Sequence, residues 1–189
     1  MDVNGDSLTW LMLIDMQRVF GRPDSPWFTP GFDDTSRAAL RLRDAFGPRV
    51  ALTRFIPPAE PQGSWIEYYK RSSFALDPAN AELFELVSTF PSAGTVVIDR
   101  PTFSKWDAGV CTRLGGIAEI VLAGVSTDCC VLATALAAAD AGIHVKVAAD
   151  ACAGTDTRSH HCALDLMALY APQIEITSVD AVLAKHHPA

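Results

Sequence analysis

Basic residues are scarce in this chain: 15 Lys and Arg stand against 22 Asp and Glu, a net charge of −7. They are scattered, and no run of them forms a stripe. A phosphate-backbone binder needs clustered Lys and Arg, so no nucleic-acid partner is expected. Long apolar runs are missing too. None reaches the ~18 residues that would span a bilayer. The opening Met1-Asp2-Val3-Asn4-Gly5-Asp6 is acidic and polar, unlike a secretory signal, so no membrane partner is expected. The five cysteines, at 111, 129, 130, 152 and 162, are odd in number and lack paired metal spacing. That pattern argues for reduced thiols in a cytoplasmic protein rather than a disulfide framework. Histidine is absent before His144; the others are His160, His161, His186 and His187.

Apolar residues make up 49% of the 189, enough to bury one core, and we read residues 1–189 as a single domain. Apolar runs alternate with amphipathic segments, which predicts βαβ units. Strands are expected at Leu8–Ile14, Val50–Phe55, Val96–Ile98, Ile117–Ala123, Ile143–Ala149 and Ile174–Thr177. Their continuous hydrophobicity suits strands covered on both faces. Helices are expected at Asp33–Ala45, Asp128–Ala141 and Thr157–Tyr170, with shorter ones at Ala79–Val87 and Asp180–Lys185. The fold class is therefore α/β: a doubly wound, Rossmann-like, six-stranded parallel sheet with helices on both faces. Its ligand site is expected beyond the carboxyl ends of the strands. The irregular stretch Ile56–Ala79, rich in proline and aromatics, has the length of a lid or binding loop.

The most informative residues are Gly124-Val125-Ser126-Thr127-Asp128-Cys129-Cys130-Val131. They follow the apolar run Ile120–Ala123 and open an alanine-rich segment that ends at Gly142. A buried strand, a tight turn and a helix start fit this order, with Thr127 or Asp128 as N-cap. A cysteine then sits in the first helical turn, where free N–H groups and the dipole favour an anion. A thiol so placed can fall below its free pKa of roughly 8.5 and become a nucleophile. The plain alternative is a small apolar residue packed in a βα turn.

Two other strand ends deliver polar groups to the same edge. The first strand runs into Asp15-Met16-Gln17, whose carboxylate suits a general base for a thiol, or else a turn cap. The third runs into Asp99-Arg100-Pro101-Thr102-Phe103-Ser104-Lys105-Trp106. A cation there would stabilise a thiolate or hold the aspartate, unless it is an ordinary solvated charge.

These three segments, in this order, resemble the isochorismatase-like cysteine hydrolase family. Asp150-Ala151-Cys152-Ala153, followed by His160 and Ala163-Leu164, extends the likeness to nearly the whole chain. The resemblance implies a triad of Asp, basic residue and Cys that cleaves a small-molecule amide or related C–N bond through a covalent intermediate. Matched residue by residue, the aspartate is Asp15 and the nucleophile Cys130. Cys129 is then a packing residue, because neighbouring helix positions point about 100° apart. The resemblance also implies a cis peptide at Val125–Ser126, and an oxyanion hole from the backbone N–H groups of Ser126 and Cys130. Phe20 matches a family position that often lines the site. Trp65, Phe103 and Trp106 are further candidate walls, from the long loop and the third strand end.

The chain departs from the family twice. The family's basic residue is usually a lysine three residues before the aromatic of an aromatic-Ser pair. Counting back from Phe103-Ser104, that position is Arg100, which we favour; Lys105 is the alternative. Arginine holds charge but does not shuttle protons. The region after the second strand, Thr53 to Glu60, carries none of the histidines that hold a metal in the family's nicotinamidases. No metal and no cofactor are expected. The leading reading is an amidase-type cysteine hydrolase acting on a small molecule. An isochorismatase-type or a non-catalytic small-molecule-binding member of the fold is the alternative. A redox role for Cys129-Cys130 is disfavoured, because adjacent cysteines form only a strained disulfide. The family likeness further implies a homo-oligomer, by analogy.

Overall fold

A computed structural model describes residues 9–186. Leu8, the first residue of the first expected strand, and His187 lie outside the described residues. Six strands form one all-parallel sheet. They are β1 (Thr9–Ile14), β2 (Val50–Phe55), β3 (Val96–Arg100), β4 (Glu119–Val125), β5 (His144–Ala153) and β6 (Ile174–Thr177), in the spatial order β3-β2-β1-β4-β5-β6. The central strands are buried on both faces, which is why β1 reads TWLMLI and β4 reads EIVLAGV without alternation. Leu11, Met12, Leu13 and Ile14 are all fully buried. Each such side chain stabilises the fold by about 1.5–3 kcal/mol.

The helices are α1 (Arg18–Gly21), α2 (Phe32–Phe46), α3 (Trp65–Arg71), α4 (Ala108–Arg113), α5 (Leu132–Asp140), α6 (Thr157–Ala168) and α7 (Val179–His186). α2 packs with α7 on the sheet, and α5 packs with α6 on its other face. The expected long irregular stretch is partly ordered: it contains α3 and a 3-10 turn at Ser73–Leu76. The helix expected at Ala79–Val87 is a 3-10 segment, Pro78–Phe84, capped by the Asp77 side chain. The helix expected from Asp128 is divided into a π turn, Thr127–Val131, and then α5. Its N-cap is Ser126, without a side-chain cap, rather than Thr127 or Asp128.

Strand order reverses at β1, so the crevice of the doubly wound sheet opens beyond the ends of β1 and β4. Two backbone features shape that edge. Gly124 has φ 121°, and a Cβ there would sit 2.2 Å from the Ile14 carbonyl oxygen. Only glycine permits β4 to approach β1 so closely. Asp15 has φ 49°, in the left-handed region where non-glycine residues are uncommon and cluster at functional sites.

Candidate active site

Asp15 is fully buried, and its environment is built by its neighbours across the sheet. Its backbone N–H donates to Thr53 Oγ1 at 3.1 Å, and that hydroxyl donates to Asp15 Oδ1 at 2.7 Å. Gln17 fastens the next turn. Its side chain accepts from Phe55 N–H at 2.7 Å and donates to the carbonyls of Phe55 and Phe84. With Oδ1 taken by Thr53, Oδ2 faces the ammonium of Lys105 at 3.1 Å, and both side chains are fully buried. The Oδ2 contact is an ion pair, with the Cys130 thiol also acting on the Asp15 carboxylate.

Lys105 is held by three further contacts. Its Nζ donates to the Thr102 carbonyl at 2.7 Å and lies 4.7 Å from the centroid of the Phe55 ring. Its backbone N–H donates to Thr134 Oγ1 at 2.9 Å, and the same hydroxyl donates to the Cys130 carbonyl at 2.6 Å. One threonine of α5 thus ties the lysine loop to the cysteine turn.

The basic position we favoured in the sequence is corrected here. Arg100 ends β3, and β2 lies between β3 and β1, so Arg100 is two strands away from Asp15. Its guanidinium donates instead to Asp107 Oδ2, at 2.7 and 3.0 Å, and to its neighbour's carbonyl, Asp99 O, at 2.9 Å. The chain after β3 doubles back over the strand ends and inserts Lys105. It is Lys105, not Arg100, that the fold brings to Asp15.

Cys130 is buried, and its thiol is pushed well above the usual range. Burial is the main cause and the Asp15 carboxylate the second; Lys105 opposes them. The lowered thiol pKa expected from a helix start is therefore overturned by desolvation. Cys129 is corrected as well. It lines the pocket beside Cys130 rather than packing away from it. A π turn is wider than an α turn, so successive side chains diverge less around the axis. Burial, with Asp128 alongside, pushes the Cys129 thiol up to about 11. The Val125–Ser126 peptide is cis, and Ser126 is buried with its Oγ 3.1 Å from Thr29 Oγ1.

Ser126, Cys129 and Cys130 line a cavity of about 310 Å³, with Asp15 and Lys105 buried outside its lining. Phe20, Trp27, Phe28, Phe55, Tyr68 and Phe103 form its aromatic walls. Ser126, Cys129, Cys130 and Thr155 provide its polar side. Phe20 and Phe103 are the two walls among the sequence candidates that the fold brings there. Trp65 stands behind the lining, 5.0 Å from Phe103 and 5.1 Å from Tyr68 between ring centroids. Trp106 is excluded: it is 7% exposed, packed into the core. Sequence reasoning missed Trp27, which packs against Phe20, Phe55, Tyr68, Phe74 and Phe84. The signal was present as Pro26-Trp27-Phe28 in a proline-flanked loop soon after the Asp15 strand end. Among the described residues, no group of three or more His, Cys, Asp or Glu gathers to hold a metal.

The last wall is fastened by Asp128. Its carboxylate accepts from Thr155 N–H and Thr155 Oγ1, both at 2.8 Å. Gly154 is needed there, since a Cβ would lie 2.7 Å from Asp128 Oδ1. His160 Nδ1 lies 2.9 Å from Thr127 Oγ1 and ties α6 to the cysteine turn.

The Isochorismatase domain family model matches residues 9–180. The chain belongs to the isochorismatase family. Solved structures of similar shape include a cysteine hydrolase from Pseudomonas syringae pv. phaseolicola, with TM-score 0.84 and 18% identity over 96% of this chain and 93% of that one. An isochorismatase-like hydrolase from Alkaliphilus metalliredigens superposes with TM-score 0.78 at 16% identity, over 95% and 99% of the two chains. The MAR1 ribonuclease from Caenorhabditis elegans, at 20% identity, superposes with TM-score 0.66 over 95% and 81%. At such identities the likeness concerns the fold, and it spans proteins named for different activities. Family membership thus supports a hydrolase scaffold, while the chemistry must be argued from the site.

Proposed function

We propose that this family member is an amidase-type cysteine hydrolase that cleaves a small-molecule C–N bond through a Cys130 acyl-enzyme. The observation that carries this reading is the fully buried Asp15–Lys105 pair, whose charges act on the thiol of Cys130, which lines a small pocket. Asp15 acts as the proton carrier and Lys105 as the fixed positive charge. As Sγ attacks the substrate carbonyl carbon, the thiol proton passes to Asp15 Oδ2, the oxygen that Thr53 leaves unbonded. The backbone N–H groups of Ser126 and Cys130 are the donors we assign to the developing oxyanion. Collapse breaks the C–N bond, and the amine leaves with the proton from Asp15. Water then attacks the thioester, giving its proton to Asp15, and the carboxylic product departs as the thiol is restored. The raised pKa of Cys130 fits this order, because the resting thiol stays neutral and loses its proton only during attack.

An activated aryl ester tests the reading. Wild-type protein is expected to release one equivalent of phenol in a burst and to gain the acyl mass on Cys130. Cys130→Ala is expected to show neither. Absence of burst and adduct in the wild type, across esters and amides, overturns the proposal.

A further inference from the structure

The sheet order divides the pocket into two chemically different halves. The aromatic rings come from the last residue of β2 and the segments that follow β1, β2 and β3, on one side of the switch point. The polar groups come from the turns after β4 and β5, on the other side. Among the described residues, no charged side chain lines the cavity. Its polar members are the hydroxyls of Ser126 and Thr155, the Tyr68 phenol and two thiols, all neutral near pH 7.

The charges just behind the walls lean the wrong way for an anion. Lys105 is closed onto Asp15 and has no exposed surface, so its charge is already matched. Asp128 adds a second carboxylate, 3.9 Å from the Cys129 sulfur and held by Thr155 at the rim. A carboxylate entering this pocket would lose its water and meet no counter-ion, only the neutral N–H donors assigned to the oxyanion, a heavily penalised state for a full charge. A neutral ring meets aromatic walls that already pack on one another, so little has to be ordered on binding. The size fits as well. A cavity of roughly 150 Å³ holds one benzene, and this one, at about 310 Å³, has room for a ring and its substituents.

We infer that the pocket selects uncharged, ring-bearing acyl groups and turns away carboxylates, including the acid released when its own amide is cleaved. The product clause rests on the hydrolase reading above; the binding clause does not. A dianion such as isochorismate is disfavoured on the same grounds. Because product and substrate differ by one charge at the reacting carbon, hydrolysis itself would convert a favoured ligand into a disfavoured one.

Benzamide and benzoate are matched probes, nearly equal in shape and different in charge. Their affinities are measured by tryptophan fluorescence and calorimetry near pH 7, on wild-type protein and on Cys130→Ala, so that no turnover is needed. Benzamide is expected to bind at least about 30-fold more tightly than benzoate, consistent with an unpaired desolvated charge. Phe28→Arg, at a wall position 37% exposed, supplies the missing cation. It is expected to bring the two probes within about threefold of each other, as a charge pair at a partly solvated rim would. Equal affinities in the wild type, no response to Phe28→Arg, or no binding of benzamide or 2-naphthamide at millimolar concentration each overturn the inference. If benzamide binds selectively but no acyl adduct ever forms, the hydrolase reading falls and this one stands. If the adduct forms while benzoate binds as well as benzamide, the reverse holds.

Discussion

Two cations five residues apart, Arg100 at the end of β3 and Lys105 beyond it, form ion pairs that do opposite things. Arg100 and Asp107 approach to 2.7 Å, with side chains 30% and 50% exposed. Lys105 and Asp15 are 3.1 Å apart, with no exposure at all. By distance the surface pair looks the stronger. Water reverses that order, because a solvated pair exchanges one set of good contacts for another, whereas a buried carboxylate has no alternative partner. Asp107 also caps α4, accepting from Val110 N–H at 3.0 Å, so its pair with Arg100 is part of a helix start. Residue type and register leave two cations open, while burial and topology put Lys105 beside Asp15 and leave Arg100 near the surface.

The largest test breaks the buried pair. Lys105→Ala strands Asp15 in the core and is expected to cost about 3–5 kcal/mol of stability, and to abolish turnover. A melting temperature within a degree or two of wild type would show that Asp15 does not depend on this cation. Asp15→Asn keeps the bond with Thr53 but leaves the buried Lys105 without its counter-ion, so some loss of stability is expected here too. Turnover per folded molecule is expected to fall by at least about 100-fold. Measuring rate and thermal unfolding on one sample separates a proton carrier from a turn residue.

The same desolvation rule extends to the thiols. Burial, the main cause, holds the Cys152 thiol protonated up to about 12. In the unfolded chain it titrates near roughly 8.5. A folded-state value raised in this way contributes stability that is complete below the unfolded value and is lost as pH climbs toward the folded one. Denaturant unfolding between pH 9 and 11 should therefore show stability falling, and Cys152→Ala should remove up to about 1.4 kcal/mol per pH unit of that slope. An unchanged slope would mean that this thiol is not desolvated. The smallest effect belongs to the surface pair. Arg100→Ala is expected to cost under about 1 kcal/mol, with turnover within about twofold of wild type. Loss of turnover there would restore Arg100 to the site.

Much of the fold was legible. The apolar runs placed β2 and β6 correctly at both ends, and the other strands within a few residues, because a strand buried on both faces must be apolar throughout. β5 ran past its expected end: register jumps from Leu122–Val147 to Gly124–Cys152, and a bulge leaves no mark in an apolar pattern. The ordered α3 was hidden because its rings and charges follow no single helical stripe. Within the site, Asp15, Cys130 and Phe103 were legible from the strand ends they follow, and Phe20 from the family resemblance. Lys105 was present only as the second choice, and Trp27 was unseen.

What the sequence determined by itself was local: where the chain is covered on both faces, where it turns, and which reactive groups stand at strand ends. Periodicity and turn chemistry act over a few residues and can be read there. The tertiary structure alone decided that β2 separates Arg100 from Asp15, that a loop returns Lys105 to the buried carboxylate, and that a π turn sets both thiols on one pocket. It also decided the state of the Cys130 thiol. A helix start favours the anion and a buried carboxylate opposes it, and which wins depends on how much water the assembled fold excludes.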